Sequence, residues 1–79
     1  MARARTNTDL DGFNDRATAK SIFRNQTRGQ RVSQTPAGGG VRRHTEDGTQ
    51  IRMNEDGSTR VDLPDRGTQP NGETIHFNP

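Results

Sequence analysis

The chain has 79 residues, of which 23% are apolar or aromatic, and it contains no cysteine, tryptophan or tyrosine. Twelve basic and ten acidic residues give a formal net charge of +2. This length allows at most one small domain, and the lack of cysteine excludes disulfides and zinc–thiolate sites. No apolar run reaches membrane-spanning length and residues 1–25 lack a signal-peptide apolar segment. We therefore expect no membrane partner and no secretion by a signal peptide.

Residues 1–40 are predicted to form an extended, Arg-rich arm that contains one short helix. Thr8 or Asp11 is suited to cap a helix over about residues 9–27, and Gly29 is suited to end it. Residues 29–40 carry Pro36 and three consecutive glycines, which is typical of a flexible or extended spacer. Residues 1–43 hold nine basic and three acidic residues, whereas residues 44–79 hold three and seven. The sequence thus predicts a basic arm joined to a mildly acidic module.

The apolar residues of the predicted helix do not form a single stripe. At about 100° per residue, Leu10, Phe13 and Ala17 fall on one side, and Ala19, Ile22 and Phe23 fall nearly opposite. Such a helix is expected to contact two separate surfaces, or to be partly disordered when the chain is isolated. The predicted partner contacts of the arm are Leu10, Phe13, Ile22 and Phe23.

Residues 41–79 are predicted to form a small antiparallel β-meander of three to four strands, which makes the fold class mainly β. Three strands, at residues 41–45, 49–54 and 58–63, are joined by Glu46-Asp47-Gly48 and Glu55-Asp56-Gly57. Asp-Gly between strands is a hairpin signal, because glycine adopts positive φ without a Cβ penalty. We predict three-residue loops, since two-residue loops would place Ile51 on the same face as Asp62. A fourth strand at residues 73–78 is expected beside either the third or the first.

This register collects large apolar side chains on one face of the sheet. Their number is small, and a sheet needs a second layer packed against its apolar face. The rest of the chain has few apolar residues with which to form that layer. We therefore expect this face to bind other protein subunits or copies of the same chain. The residues concerned are Val41, Ile51, Met53, Val61, Leu63, Ile75 and Phe77.

The opposite face is predicted to carry an anion-binding row. The same register aligns Arg42, Arg52 and Arg60 across three neighbouring strands, with His44, Gln50 and Asp62 as the adjacent row. Like charges that lie directly opposite each other destabilise a sheet, so an anionic partner or the solvent must compensate them. Nucleic acid is one such partner, and an acidic protein surface is another.

Side chains for acid–base chemistry are few. If the fourth strand returns beside the first, His44 and His76 approach each other over the arginines, which is compatible with metal-independent RNA cleavage. The alternative is that both are surface histidines without a catalytic role, which is the commoner situation in proteins. His44, His76 and Asp62 lack the close spacing of a metal site, and no cofactor motif is present. We assign no catalytic residue and no metal ligand, and expect no cofactor.

The general build resembles the minor structural proteins of bacteriophage particles, such as cement, adaptor or plug subunits. The resemblance concerns only a basic arm, a Gly-Pro spacer and a small β module, and it assigns no site residue. It implies a non-enzymatic assembly protein that is located in a virion or in the cytoplasm and becomes ordered on a larger complex. The alternatives are a small nucleic-acid-binding protein that uses the arm and the arginine face, and a ribonuclease that uses His44 and His76.

Overall fold

The computed structural model describes residues 6–10, 16–64 and 72–78 of the chain. These residues form one helix and six strands, and the strands belong to a single mixed sheet in the order β1-β6-β5-β4-β3-β2. The predicted mainly β fold class is confirmed. The elements in chain order are β1 Thr6–Leu10, α1 Arg16–Gln26, β2 Ser33–Ala37, β3 Gly40–His44, β4 Gln50–Met53, β5 Thr59–Leu63 and β6 Glu73–Phe77.

The central meander has the predicted register. Val41 lies opposite Met53, and Ile51 lies opposite Val61. Each Asp-Gly turn is a three-residue loop closed by a pair of backbone bonds, such as those from the Thr45 amide to the Thr49 carbonyl and from the Gly48 amide to the Thr45 carbonyl. Gly48 and Gly57 have φ values of 94° and 95°, which glycine adopts without strain. The turn chemistry therefore fixes which side chains share a face.

The turn aspartates reinforce this geometry. The Asp47 Oδ1 atom accepts hydrogen bonds from the Thr45 hydroxyl at 2.6 Å and from the Thr49 amide at 2.9 Å. The bond from the Thr45 hydroxyl and those from Thr49 lower the pKa of Asp47 well below its usual range. Asp56 accepts hydrogen bonds from the hydroxyl and the amide of Ser58, the residue equivalent to Thr49, and these bonds lower its pKa as well. Both turns are thus stabilised by an ionised carboxylate.

The last strand lies beside the third strand of the meander, which settles the position left open by the sequence. β6 pairs antiparallel with β5, so that Ile75 lies opposite Val61. β1 then pairs parallel with the outer side of β6, and Leu10 lies opposite Phe77. The sheet is therefore mixed, and its first and last strands in the sequence are neighbours in space.

The prediction for the amino-terminal part of the helix was wrong. Thr8, a predicted helix cap, lies within strand β1, while Asp11, the other predicted cap, lies outside the described residues. Pairing with β6 provides backbone partners for this segment and lets Leu10 pack against the core, which outweighs a weak helical pattern. The helix ends near Gly29 as predicted, with a φ of 78° at that glycine.

The predicted spacer at residues 29–40 is also different in the structure, because it contains strand β2. β2 pairs antiparallel with β3, and Gly38 and Gly39 form the two-residue loop with φ values of 52° and 87°. Two consecutive positive φ values are typical of a type I′ hairpin turn. A Cβ atom at Gly40 would collide with the Met53 carbonyl oxygen, so β3 approaches β4 closely only because this residue is glycine.

Helix α1 supplies the second layer. It packs across β4 and β5, and the buried core consists of Ala19, Phe23, Ile51, Val61 and Phe77. Ala19 and Phe23 are one helical turn apart and therefore face the sheet together. Around this core pack the partly buried side chains of Leu10, Ile22, Met53, Leu63 and Ile75. The expectation that the chain itself has little to supply as a second layer was wrong.

Arg16 joins the start of the helix to the second Asp-Gly turn. Its guanidinium donates hydrogen bonds to the Thr59 hydroxyl at 3.0 Å and to the carbonyl oxygens of Asn54 and Ser58 at 3.0 and 3.2 Å. Hydrogen bonds from a charged donor are stronger than neutral ones. This side chain therefore fixes the helix relative to the hairpin.

Candidate nucleic-acid interface

The candidate site is the polar face of the sheet, which we define as the face opposite helix α1. Alternation along the strands places the core residues Ile51 and Val61 under the helix and their neighbours on the other side. On the polar face, Arg42 lies opposite Arg52, and Arg52 lies opposite Arg60, as predicted. We call these three residues the arginine row.

The row continues beyond the meander onto the last two strands. His76 lies opposite Arg60, and Asp9 lies opposite His76. Neighbouring strands are about 4.8 Å apart, so the order Asp9, His76, Arg60, Arg52, Arg42 covers about 19 Å across the sheet. The sequence did not predict the place of Asp9, because that residue was assigned to a helix.

Asp62 occupies the second polar row and orients Arg60. Its carboxylate accepts hydrogen bonds from the Gln50 amide at 2.8 Å, the Arg60 Nε at 3.0 Å and the Thr74 hydroxyl at 2.7 Å. Burial by itself raises the pKa of Asp62, but the bond from Thr74 and the positive charge of Arg60 outweigh this effect and lower the pKa. Asp62 is therefore an ionised anchor whose lone pairs are engaged.

The other two arginines of the row have no such anchor. Among the described residues, neither Arg42 nor Arg52 forms an ion pair with a carboxylate. The Arg52 Nε is buried without a hydrogen-bond partner in the described part of the chain, and so is the His44 Nε2. Buried polar atoms that lack a hydrogen-bond partner are uncommon in folded proteins. The guanidinium groups of these two adjacent residues thus have no anionic partner among the described residues.

A shallow polar depression lies at the end of the face near β6. It has a volume of about 440 Å³. Its lining residues are Asn7, Gly48, Gln50, Arg60, Asp62, Thr74 and His76. The depression places an imidazole and a guanidinium at the same opening, next to the end of the arginine row.

The two histidines do not form the predicted pair. His44 is on β3 and His76 is on β6, and strands β4 and β5 lie between them. Three strand spacings correspond to about 14 Å, which is too far for the two imidazoles to act on one phosphate. The condition under which they would approach, a fourth strand beside β3, is not met.

The predicted partner-binding residues of the apolar face are largely part of the core. Ile51, Val61 and Phe77 are at most 1% exposed, and Phe23 of the predicted arm is 6% exposed. The partly buried ones pack around them: Leu10, Ile22, Met53, Leu63 and Ile75. Val41 is half-buried at the β3 end of the same face, and Phe13 lies outside the described residues. In this fold the helix of the same chain covers most of the surface that was predicted to bind a partner.

A second depression, of about 360 Å³, lies between the helix and strands β2 and β3. Its basic residues are Lys20, Arg24 and Arg43, and its apolar floor includes Phe23 and Ile51. Arg43 is held in place by donating from its Nε to the Gln34 side-chain oxygen at 2.9 Å. This surface is basic but lies on the opposite side of the sheet from the arginine row, so its arginines serve as controls for that row.

Comparison with known protein families, with characterised proteins and with solved structures found no match. In the described ranges, no cluster of three or more histidine, cysteine or acidic side chains is arranged to hold a metal ion. The helix found there is too short and too polar to cross a membrane.

Proposed function

We propose that this protein binds nucleic acid through the polar face of its sheet. The observation that carries the proposal is the alignment of Arg42, Arg52 and Arg60 across three adjacent strands. In the described structure a carboxylate neutralises only Arg60 of these three. A phosphodiester chain brings one negative charge and several acceptor oxygens per nucleotide, which suits guanidinium groups held side by side.

The residues of the face favour contact with the phosphate backbone over contact with bases. The described part of the face carries arginine, histidine, aspartate, glutamine, threonine and asparagine side chains, and no phenylalanine, tyrosine or tryptophan on which a base could stack. Phosphate contacts position a nucleic acid without reading its sequence. We therefore propose binding with little sequence preference and with a strong dependence on salt.

The test is fluorescence anisotropy with labelled single-stranded oligonucleotides at several salt concentrations. Each phosphate that is neutralised contributes about 0.7 to 0.9 to the slope of log K against log salt. Arg52→Gln should lower this slope by about one such contribution and weaken binding to all sequences alike. Arg24→Gln is the matched control, because it removes the same charge from the exposed surface of the helix. Equal losses in the two variants, or no binding by the wild type, would refute the proposal.

An assembly role stays a prediction, and with it a location in a phage particle. It was motivated by an apolar sheet face without a second layer, and helix α1 provides that layer within the chain. The arginine row, in contrast, has no compensation of this kind among the described residues. For this reason nucleic-acid binding is the leading proposal.

A further inference from the structure

We propose that the part of the polar face formed by β1, β6 and β5 cleaves RNA. Asp9 is the general base, His76 is the general acid and Arg60 is the phosphate-binding group. This inference rests on the proposed function, because the same face must first hold the nucleic acid. It replaces the pairing of His44 with His76, which the strand order rules out.

The three side chains are adjacent on one face. Asp9 is the register partner of His76 across the parallel β1–β6 pair, and His76 is the partner of Arg60 across the antiparallel β6–β5 pair. Directly opposite residues have Cβ atoms about 5 Å apart. Asp9 and Arg60 therefore flank His76 at one strand spacing each, and a phosphate that Arg60 holds over the imidazole lies within reach of both His76 and Asp9.

Asp9 and His76 are also free to act. Neither side chain has a hydrogen bond or an ion pair with any described residue, and Asp9 is exposed. Asp62 is different, because its carboxylate accepts bonds from Gln50, Arg60 and Thr74 and its pKa is lowered. A carboxylate engaged in this way is a poor proton acceptor. Asp62 is therefore a positioning residue for Arg60, and Asp9 is the better base.

The chemistry is an internal transesterification. Asp9 takes the proton of the ribose 2′-hydroxyl, and the 2′-oxygen forms a bond to the adjacent phosphorus while the bond from phosphorus to the 5′-oxygen breaks. Protonated His76 donates its proton to the departing 5′-oxygen. The products are a 2′,3′-cyclic phosphate and a 5′-hydroxyl, and one proton passes from Asp9 back to His76 through the solvent. The guanidinium of Arg60, next to Arg52, stabilises the additional negative charge on the phosphoryl oxygens.

This mechanism selects RNA as the substrate class, since the nucleophile is the 2′-hydroxyl that DNA lacks. The protein is expected to bind single-stranded DNA of the same sequence without cleaving it. An RNA in which the ribose on the 5′ side of one linkage is replaced by deoxyribose should be cut at every susceptible linkage except that one.

The experiment incubates a labelled, mixed-sequence oligoribonucleotide with the full chain and identifies the products by mass spectrometry. Wild type should produce 2′,3′-cyclic phosphate ends. His76→Gln and Asp9→Asn should each lower the cleavage rate by a factor of about 10² to 10⁴. The affinity of each variant for a 2′-O-methyl RNA should be unchanged. Arg24→Gln, purified in parallel, is the control and should retain the wild-type rate, because Arg24 lies on the helix on the other side of the sheet. His44→Gln tests the assignment of the acid and should lose less activity than His76→Gln, because His44 lies three strands away from His76.

Each other outcome overturns the inference. If wild type binds RNA but does not cleave it, the cleavage inference fails while the proposed function stands. If it does not bind, the proposed function fails as well. If all variants cleave equally, the activity belongs to a contaminant. If His44→Gln loses as much activity as His76→Gln at full binding, the assignment of the acid is wrong.

Discussion

Replacing Phe23 with alanine tests whether the helix of this chain supplies the second layer of the fold. The Phe23 side chain is 6% exposed and packs in the same core as Ile51 and Val61. Truncating a buried phenylalanine to alanine costs about 3–5 kcal/mol, because packing is lost and a cavity is left. A domain of this size rarely has more than about 3–5 kcal/mol of stability in total. Phe23→Ala should therefore unfold most of the protein.

Graded variants make this prediction quantitative. Phe23→Leu keeps much of the volume and should cost less than about 1.5 kcal/mol, and Arg24→Ala on the exposed side of the helix should stay within about 0.5 kcal/mol of wild type. The assay is urea unfolding followed by far-UV circular dichroism, since the chain has no tryptophan or tyrosine for fluorescence. The reasoning is refuted if Phe23→Ala unfolds at the wild-type urea concentration. It is also refuted if the wild-type midpoint rises with protein concentration, as an intermolecular second layer requires.

Three further variants test the turns and the helix anchor by the same urea assay. Gly48→Ala should cost about 1–2 kcal/mol because its φ is 94°, and a D-alanine at this position, which favours positive φ, should restore stability. Arg16→Gln should cost about 1–2 kcal/mol because it removes bonds to Thr59 and to two carbonyl oxygens. Because the pKa of Asp47 is lowered in the folded protein, its ionised carboxylate stabilises the fold at pH values above the usual aspartate pKa. This stabilisation is lost progressively as the pH falls below that pKa toward the lowered one. Wild type should therefore lose more stability than Asp47→Asn between neutral pH and about pH 3, and equal losses would contradict the assigned role.

The meander was predictable from sequence because its determinants are local. Two Asp-Gly turns fix the loop length, and alternation along each strand then allows only one register that keeps Ile51 and Val61 on the same face. The arginine row follows from that register without further assumptions. The predicted anion-binding residues Arg42, Arg52 and Arg60 are brought together for this reason.

The outer strands were missed for two different reasons. β2 is closed by Gly38 and Gly39, a recognisable hairpin signal that was interpreted as a spacer because its strand is polar and contains Pro36. β1 pairs with β6, more than sixty residues away in the chain, and a parallel pairing leaves no turn signal in the sequence. The helical pattern around Leu10 was the only local signal there, and it was misleading.

The same distinction applies to the candidate site. The sequence placed His76 on the polar face, but its neighbours depend on the strand order, which no local signal determines. Asp9 comes beside His76 only because β1 adds to the edge of β6. Likewise, the cover over Ile51 and Phe77 follows from how α1 packs, which a two-sided apolar pattern did not reveal.

The most direct test of the central claim is to observe the arginine side chains themselves while nucleic acid is added. The Nε–Hε resonances of isotopically labelled protein are followed by NMR during titration with a short 2′-O-methyl RNA, which binds without being cleaved. We predict that the signals of Arg42, Arg52 and Arg60 shift together and that those of Arg24 and Arg43, on the other side of the sheet, do not. Shifts confined to Arg24 and Arg43, or no shift at any arginine, would contradict the claim that the polar face binds nucleic acid.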